Sequence, residues 1–96
     1  MYLIVTRSFP PEVGGMQNLM WGLAKEMSKN FMTKVFADYY ENHNQFDKNE
    51  NFSIERVGGI KFLRKIRKAQ LINEYVKENK VQGIIADHWK SLELIK

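Results

Sequence analysis

The spacing of hydrophobic positions changes several times along the chain, and each change marks an element. Residues 1–6, Met1-Tyr-Leu-Ile-Val-Thr6, form a continuous apolar, β-branched-rich run with no alternation. A strand covered on both faces, as in a parallel sheet, has that pattern. Pro10 and Pro11 cannot continue a central strand, so 7–13 reads as a loop. From Met16 the period becomes helical. Met16, Leu19, Met20, Leu23, Ala24 and Met27 recur three and four apart, with Gln17, Asn18, Lys25 and Glu26 mostly off the stripe. The predicted helix starts just after Gly15 and stops near Asn30. Gly22 inside it costs about 1 kcal/mol relative to alanine.

Thr33-Lys-Val-Phe-Ala-Asp38 predicts a second strand, and the polar, Asn-rich stretch 39–51 a loop. A weaker strand covers 52–57, with Phe52, Ile54 and Val57 set against Ser53, Glu55 and Arg56; Gly58-Gly59 ends it. Phe62, Ile66, Ala69, Ile72 and Val76 then share one helical face, with Leu63 and Tyr75 at its edges, predicting a helix over roughly 60–79. Residues 81–86 read as another buried strand, and Ser91 as the N-cap of a further helix. Strands alternating with helices imply an α/β layered fold with a mostly parallel sheet and right-handed crossovers. No internal repeat, low-complexity tract or linker divides 1–96, so it reads as one domain.

Composition narrows the function classes. An apolar share of 44% is ordinary for a packed core. No run approaches the ~20 apolar residues of a membrane span. The first apolar run is also too short for a signal-peptide core, which makes a cytoplasmic location the expectation. With no cysteine, disulfides and thiolate metal sites are excluded. His43 has no second ligand at metal spacing and reads as a solvated loop residue. Ser8 lacks the setting of a nucleophile elbow.

The net charge of +4 is unevenly placed. Residues 61–80 hold seven basic and two acidic side chains, net +5, while the remainder is net −1. Lys61, Arg64, Lys65, Arg67 and Lys68 open the second long helix. A solvated face is one explanation. Cations in a first turn oppose the helix dipole, however, and a helix facing anionic lipid would account for them. Nucleic-acid binding needs more than this one helix, and nucleic acid is not an expected partner.

Gly14 and Gly15 follow the first strand and open the first helix. A helix N-terminus carries unpaired N–H groups and partial positive charge, and glycine lets a ligand reach the backbone. In an open parallel sheet, ligands bind beyond the carboxyl ends of strands. Taken alone, a Gly-Gly pair before a helix is more often just a turn. Its surroundings add weight: Ile4-Val-Thr-Arg-Ser-Phe-Pro-Pro-Glu-Val-Gly-Gly-Met-Gln-Asn-Leu19 closely resembles the opening of family 4 retaining glycosyltransferases of the GT-B type. Those enzymes read strand, then FPP-x-x-GG-[hydrophobic]-[Gln/Glu], then helix. Val81-Gln-Gly-Ile-Ile-Ala-Asp-His-Trp89 looks like a later strand of the same family, and the likeness spans nearly the whole chain.

The resemblance implies an incomplete N-terminal, acceptor-side half of a GT-B fold: a Rossmann-like sheet with helices on both faces. It implies a nucleotide-sugar donor, a glycan or lipid-linked acceptor, no metal or other cofactor, and a place at the inner face of the membrane in envelope-glycan synthesis. Gly14 and Gly15 would offer backbone donors to the donor's diphosphate, Gln17 would contact the acceptor, and His88 would stand at the reacting centre. A strand-end His bonding to backbone is the alternative for His88. The family's Arg/Lys pair and E-x(7)-E motif, which lie in the second half, have no match in these residues. The chain therefore looks like an N-terminal piece lacking its C-terminal domain. A competing reading is a non-catalytic α/β interaction module with a basic membrane- or partner-binding helix. If the piece reading is right, the purified 96-residue chain transfers no sugar from any nucleotide-sugar in a radiolabel assay, and detectable turnover refutes it.

Overall fold

In the computed structural model, which describes residues 1–92 and Ile95, the apolar run at the start becomes β1 (Tyr2–Val5), the inner strand of a sheet. Thr33–Asp38 forms β2, Ser53–Val57 β3 and Gly83–Ala86 β4. All four are parallel, in the order β3-β2-β1-β4. Val5 stands in register with Phe36 on one side and Ala86 on the other. Because strand side chains alternate faces, Leu3 and Val5 point one way and Ile4 the other, and all three are fully buried. This is why β1 has no polar alternation.

Each face carries a helix. On one, α1 (Gly15–Ser28) sets Met20 and Ala24 against Ile4, Val35 and Ala37. On the other, α3 (Lys61–Glu78) sets Ile72 against Leu3, Val5 and Phe36, with Tyr75 and Val76 partly buried beside it. The fold is Rossmann-like α/β, and the strand order reverses direction at β1, between β2 and β4.

Three local expectations need correction. The polar stretch 39–51 contains a short helix, α2 (His43–Lys48). It forms because Phe46 reaches the core, edge-on to Phe9 at 6.2 Å and against Trp21 at 5.6 Å. Asp47 on the same turn binds His43 and Arg56. Phe62, placed by its period on the apolar stripe of α3, is 72% exposed, and Leu63 is exposed beside it. Burial on α3 begins only at Lys68, Ala69 and Ile72, so the first two turns lie beyond the sheet's cover. Ser91 does not cap a helix. It lies inside a 3-10 turn (Trp89–Leu92), where its hydroxyl donates to Asp87 Oδ1 at 2.7 Å. The expected continuation of that helix lies outside the described residues. Gly22 faces open space, so no packing contact offsets its cost.

Ile72 and Phe62 share one stripe in the sequence but not in the fold, and their truncation separates the two. Ile72→Ala removes a fully buried side chain and is expected to cost about 2–5 kcal/mol. Phe62→Ala is expected to stay within about 0.5 kcal/mol. Urea denaturation of both variants measures the difference.

Candidate functional site at the carboxyl ends of the strands

The loop after β1 is pinned before it reaches the glycines. Phe9 is buried, its ring edge-on to Phe46 and Phe52. Thr6 donates its hydroxyl to the Ser8 carbonyl at 2.8 Å. Arg56 of β3 is buried beneath the loop. It donates to the Pro10 carbonyl and to Asp47 Oδ1 at 2.9 Å, and its guanidinium lies 5.7 Å from the Phe9 ring centre. The polar side of β3 thus supplies the loop's foundation. Nothing in the linear pattern marked Arg56 for this; the available signal was a lone arginine in an otherwise short strand.

Gly14 and Gly15 therefore sit where expected, at the carboxyl end of β1 and the start of α1. Gly15 is exposed, and a Cβ there would meet nothing within 4 Å. Gly14 is different. A Cβ on it would lie 2.2 Å from Gln17 Oε1, because the Gln17 amide folds back over the glycine and donates to Glu12 Oε1 at 2.9 Å. The side chain expected to touch an acceptor thus holds the loop closed on itself in this structure. No side chain caps α1, and its first turn carries no acidic residue.

Beside this loop, β4 ends in Asp87. Its Oδ2 accepts the Arg7 backbone N–H at 3.0 Å and lies 3.5 Å from Arg7 Nε. Its Oδ1 accepts the Ser91 hydroxyl. Burial raises the carboxyl's proton affinity. The Arg7 N–H, the Ser91 hydroxyl and the Arg7 charge outweigh it and hold the group below the usual aspartate range. The side chain is only 2% exposed. His88 follows it at the surface, and its carbonyl accepts the Ser91 N–H at 2.9 Å.

The five cations grouped at the start of α3 do not act as one face. Lys61 and Arg67 are exposed, as is Lys65. Arg64 turns inward to Asp38, Nε to Oδ2 at 3.3 Å. Lys68 is buried, at 6% exposure, and cannot face a membrane in this fold. Its Nζ donates to the Thr6 carbonyl at 2.7 Å and to Asp38 Oδ1 at 2.9 Å. Burial lowers its affinity for the proton, and Asp38 offsets part of that. A signal for this was present: Arg64, Lys68 and Ile72 recur four apart, placing both cations in line with a core residue.

Among the described residues no three His, Asp or Glu side chains converge to hold a metal. His43 lies in α2, with Nδ1 2.8 Å from Asp47 Oδ2. No described helix is long and apolar enough to cross a membrane. No known family, curated protein or solved structure matches the chain.

The Asp87 geometry sets a pH dependence. A folded-state pKa below that of the unfolded chain gives stability that is complete above about 3.9, the ordinary aspartate value, and is lost as pH falls through the folded one. Asp87→Asn is expected to cost about 1–3 kcal/mol at pH 7, and the gap to the unmodified chain should close below the ordinary value. Chemical denaturation of both chains from pH 7 to pH 2.5 (roughly the range set by those values) measures it. A gap that persists in acid assigns the loss to packing instead.

Proposed function

We propose that the chain is the acceptor-side, N-terminal Rossmann-like half of a nucleotide-sugar glycosyltransferase. The observation that carries the reading is the Pro10-Pro11…Gly14-Gly15 loop. It is anchored by Phe9 and Arg56, leaves the central strand at its carboxyl end, and presents Gly15 without side-chain cover at an uncapped helix start. Fixed N–H dipoles at such a point stabilise the charge that develops on a departing diphosphate, and do so without reorganisation. Asp87 holds the β1 and β4 ends together, which sets His88 leaving the sheet next to that loop. The nucleotide-sugar and the acceptor are the substrates on this reading, and a second domain closes the site.

Gly15 separates a ligand-facing glycine from one that only makes a turn. Its Cβ position is open, so Gly15→Val leaves the loop intact, at a helix-propensity change below about 1 kcal/mol. In the full gene product the same substitution is expected to lower sugar transfer at least about tenfold, the loss of roughly 1.4 kcal/mol of transition-state stabilisation. Transfer assays with a panel of nucleotide-sugars, run beside thermal melts, check this. Unchanged transfer in the variant, or no transfer by the full product with any donor, overturns the reading.

A further inference from the structure

A second feature lies on the opposite face of the sheet from the glycine loop. The N-terminal half of α3 overhangs the ends of β1 and β2 and encloses a cavity of about 450 Å³, within the usual range for small-molecule sites. Arg7, Lys61, Arg64 and Lys68 line it, together with Asp38 and the apolar Phe62, Ala69 and Ile72. Asp38 takes both Lys68 and Arg64, and Asp87, just behind, takes Arg7. Among the described residues, these four cations against two carboxylates leave two positive charges in excess. Lys65 also stands on the wall, with a partner of its own.

This excess stands at a helix N-terminus. α3 has no side-chain cap and no acidic residue in its first turn, so its positive dipole end meets further positive charge. A dianion in the cavity would neutralise both. A phosphate monoester carries about −1.5 to −2 at neutral pH, with three strong acceptor oxygens. Arginine and lysine together suit it, the guanidinium by its forked N–H pair and the ammonium as a point charge. The apolar Phe62 and Ala69 on the wall suit the organic part of an ester rather than free inorganic ion.

We propose that this cavity binds a phosphate monoester carried on a small, partly apolar group. Two sources share that chemistry: a soluble phosphorylated metabolite, and the headgroup of a lipid such as phosphatidic acid, reached past the exposed Phe62 and Leu63. The site does not depend on the sugar-transfer reading, because Gly14, Gly15 and Gln17 take no part in its wall.

The test titrates the 96-residue chain with glycerol 3-phosphate at constant ionic strength, following backbone amide shifts. Saturable shifts are expected at Arg7, at 61–69 and at Ser91. Lys61→Gln, a change at an exposed first-turn residue, is expected to weaken binding about three- to tenfold. Arg67→Gln removes the same charge from the same helix but not from the cavity wall, and should change affinity by less than about twofold. Circular dichroism checks that both variants fold. A parallel arm co-sediments the chain with phosphatidylcholine vesicles with and without phosphatidic acid. Vesicle binding that needs phosphatidic acid and follows the same Lys61-over-Arg67 order, without soluble binding, identifies a lipid headgroup as the source and sustains the proposal. Absence of saturable binding to either probe, or equal weakening by the two substitutions, overturns it.

Discussion

A buried ammonium organises the rim at the carboxyl ends of the strands. Lys68 places its charge on the carbonyl of Thr6, the residue just after β1, and on the carboxylate of Asp38, the last residue of β2. Desolvating a lysine is expensive unless its charge is paired and its hydrogens are taken up. These two acceptors meet that demand only if α3 lies directly over the two strand ends. The ammonium thus ties helix position to sheet geometry, and Arg64, one turn earlier, adds a second bond to Asp38.

From that tie the rest of the rim follows. With α3 drawn over one face, its cationic half roofs a cavity, and its apolar half reaches Leu3, Val5 and Phe36 farther along the strands. The other face has a different foundation. There Phe9, Phe46 and Phe52 make an aromatic floor, and Arg56 fastens the proline loop to it. Between the faces, Asp87 joins the end of β4 to the start of that loop through the Arg7 amide. Two corners of positive character, the α1 start and the α3 cavity, therefore share one edge of the sheet while belonging to opposite faces. The two proposals rest on different chemistry: the first on backbone N–H groups, the second on side-chain charge.

Much of the fold was legible from residue order. The unbroken apolar run at 2–5 announced a doubly covered strand, and the range 33–38 appears unchanged as β2. Both long helices start within a residue of their predicted starts, and end within about two. The candidate site was legible in part. The glycine pair lies at the strand–helix junction its order required, yet Gln17 is occupied with Glu12. His88 is at the surface, whereas its neighbour Asp87 carries the interactions that hold the rim. Hydrogen-bond partners far apart in the chain, such as Arg7 with Asp87 or Arg56 with Pro10, leave no local trace.

The sequence by itself determined the four strands, the two long helices and a mostly parallel sheet, because burial on both faces and a 3.6-residue period are written into neighbouring residues. Tertiary structure alone decided how far along α3 the sheet extends. Periodicity gives a side chain's angle around a helix axis and says nothing of where the covering surface stops. For that reason Phe62, on the stripe, stands in water, while Lys68, one turn before Ile72, is buried between two strand ends.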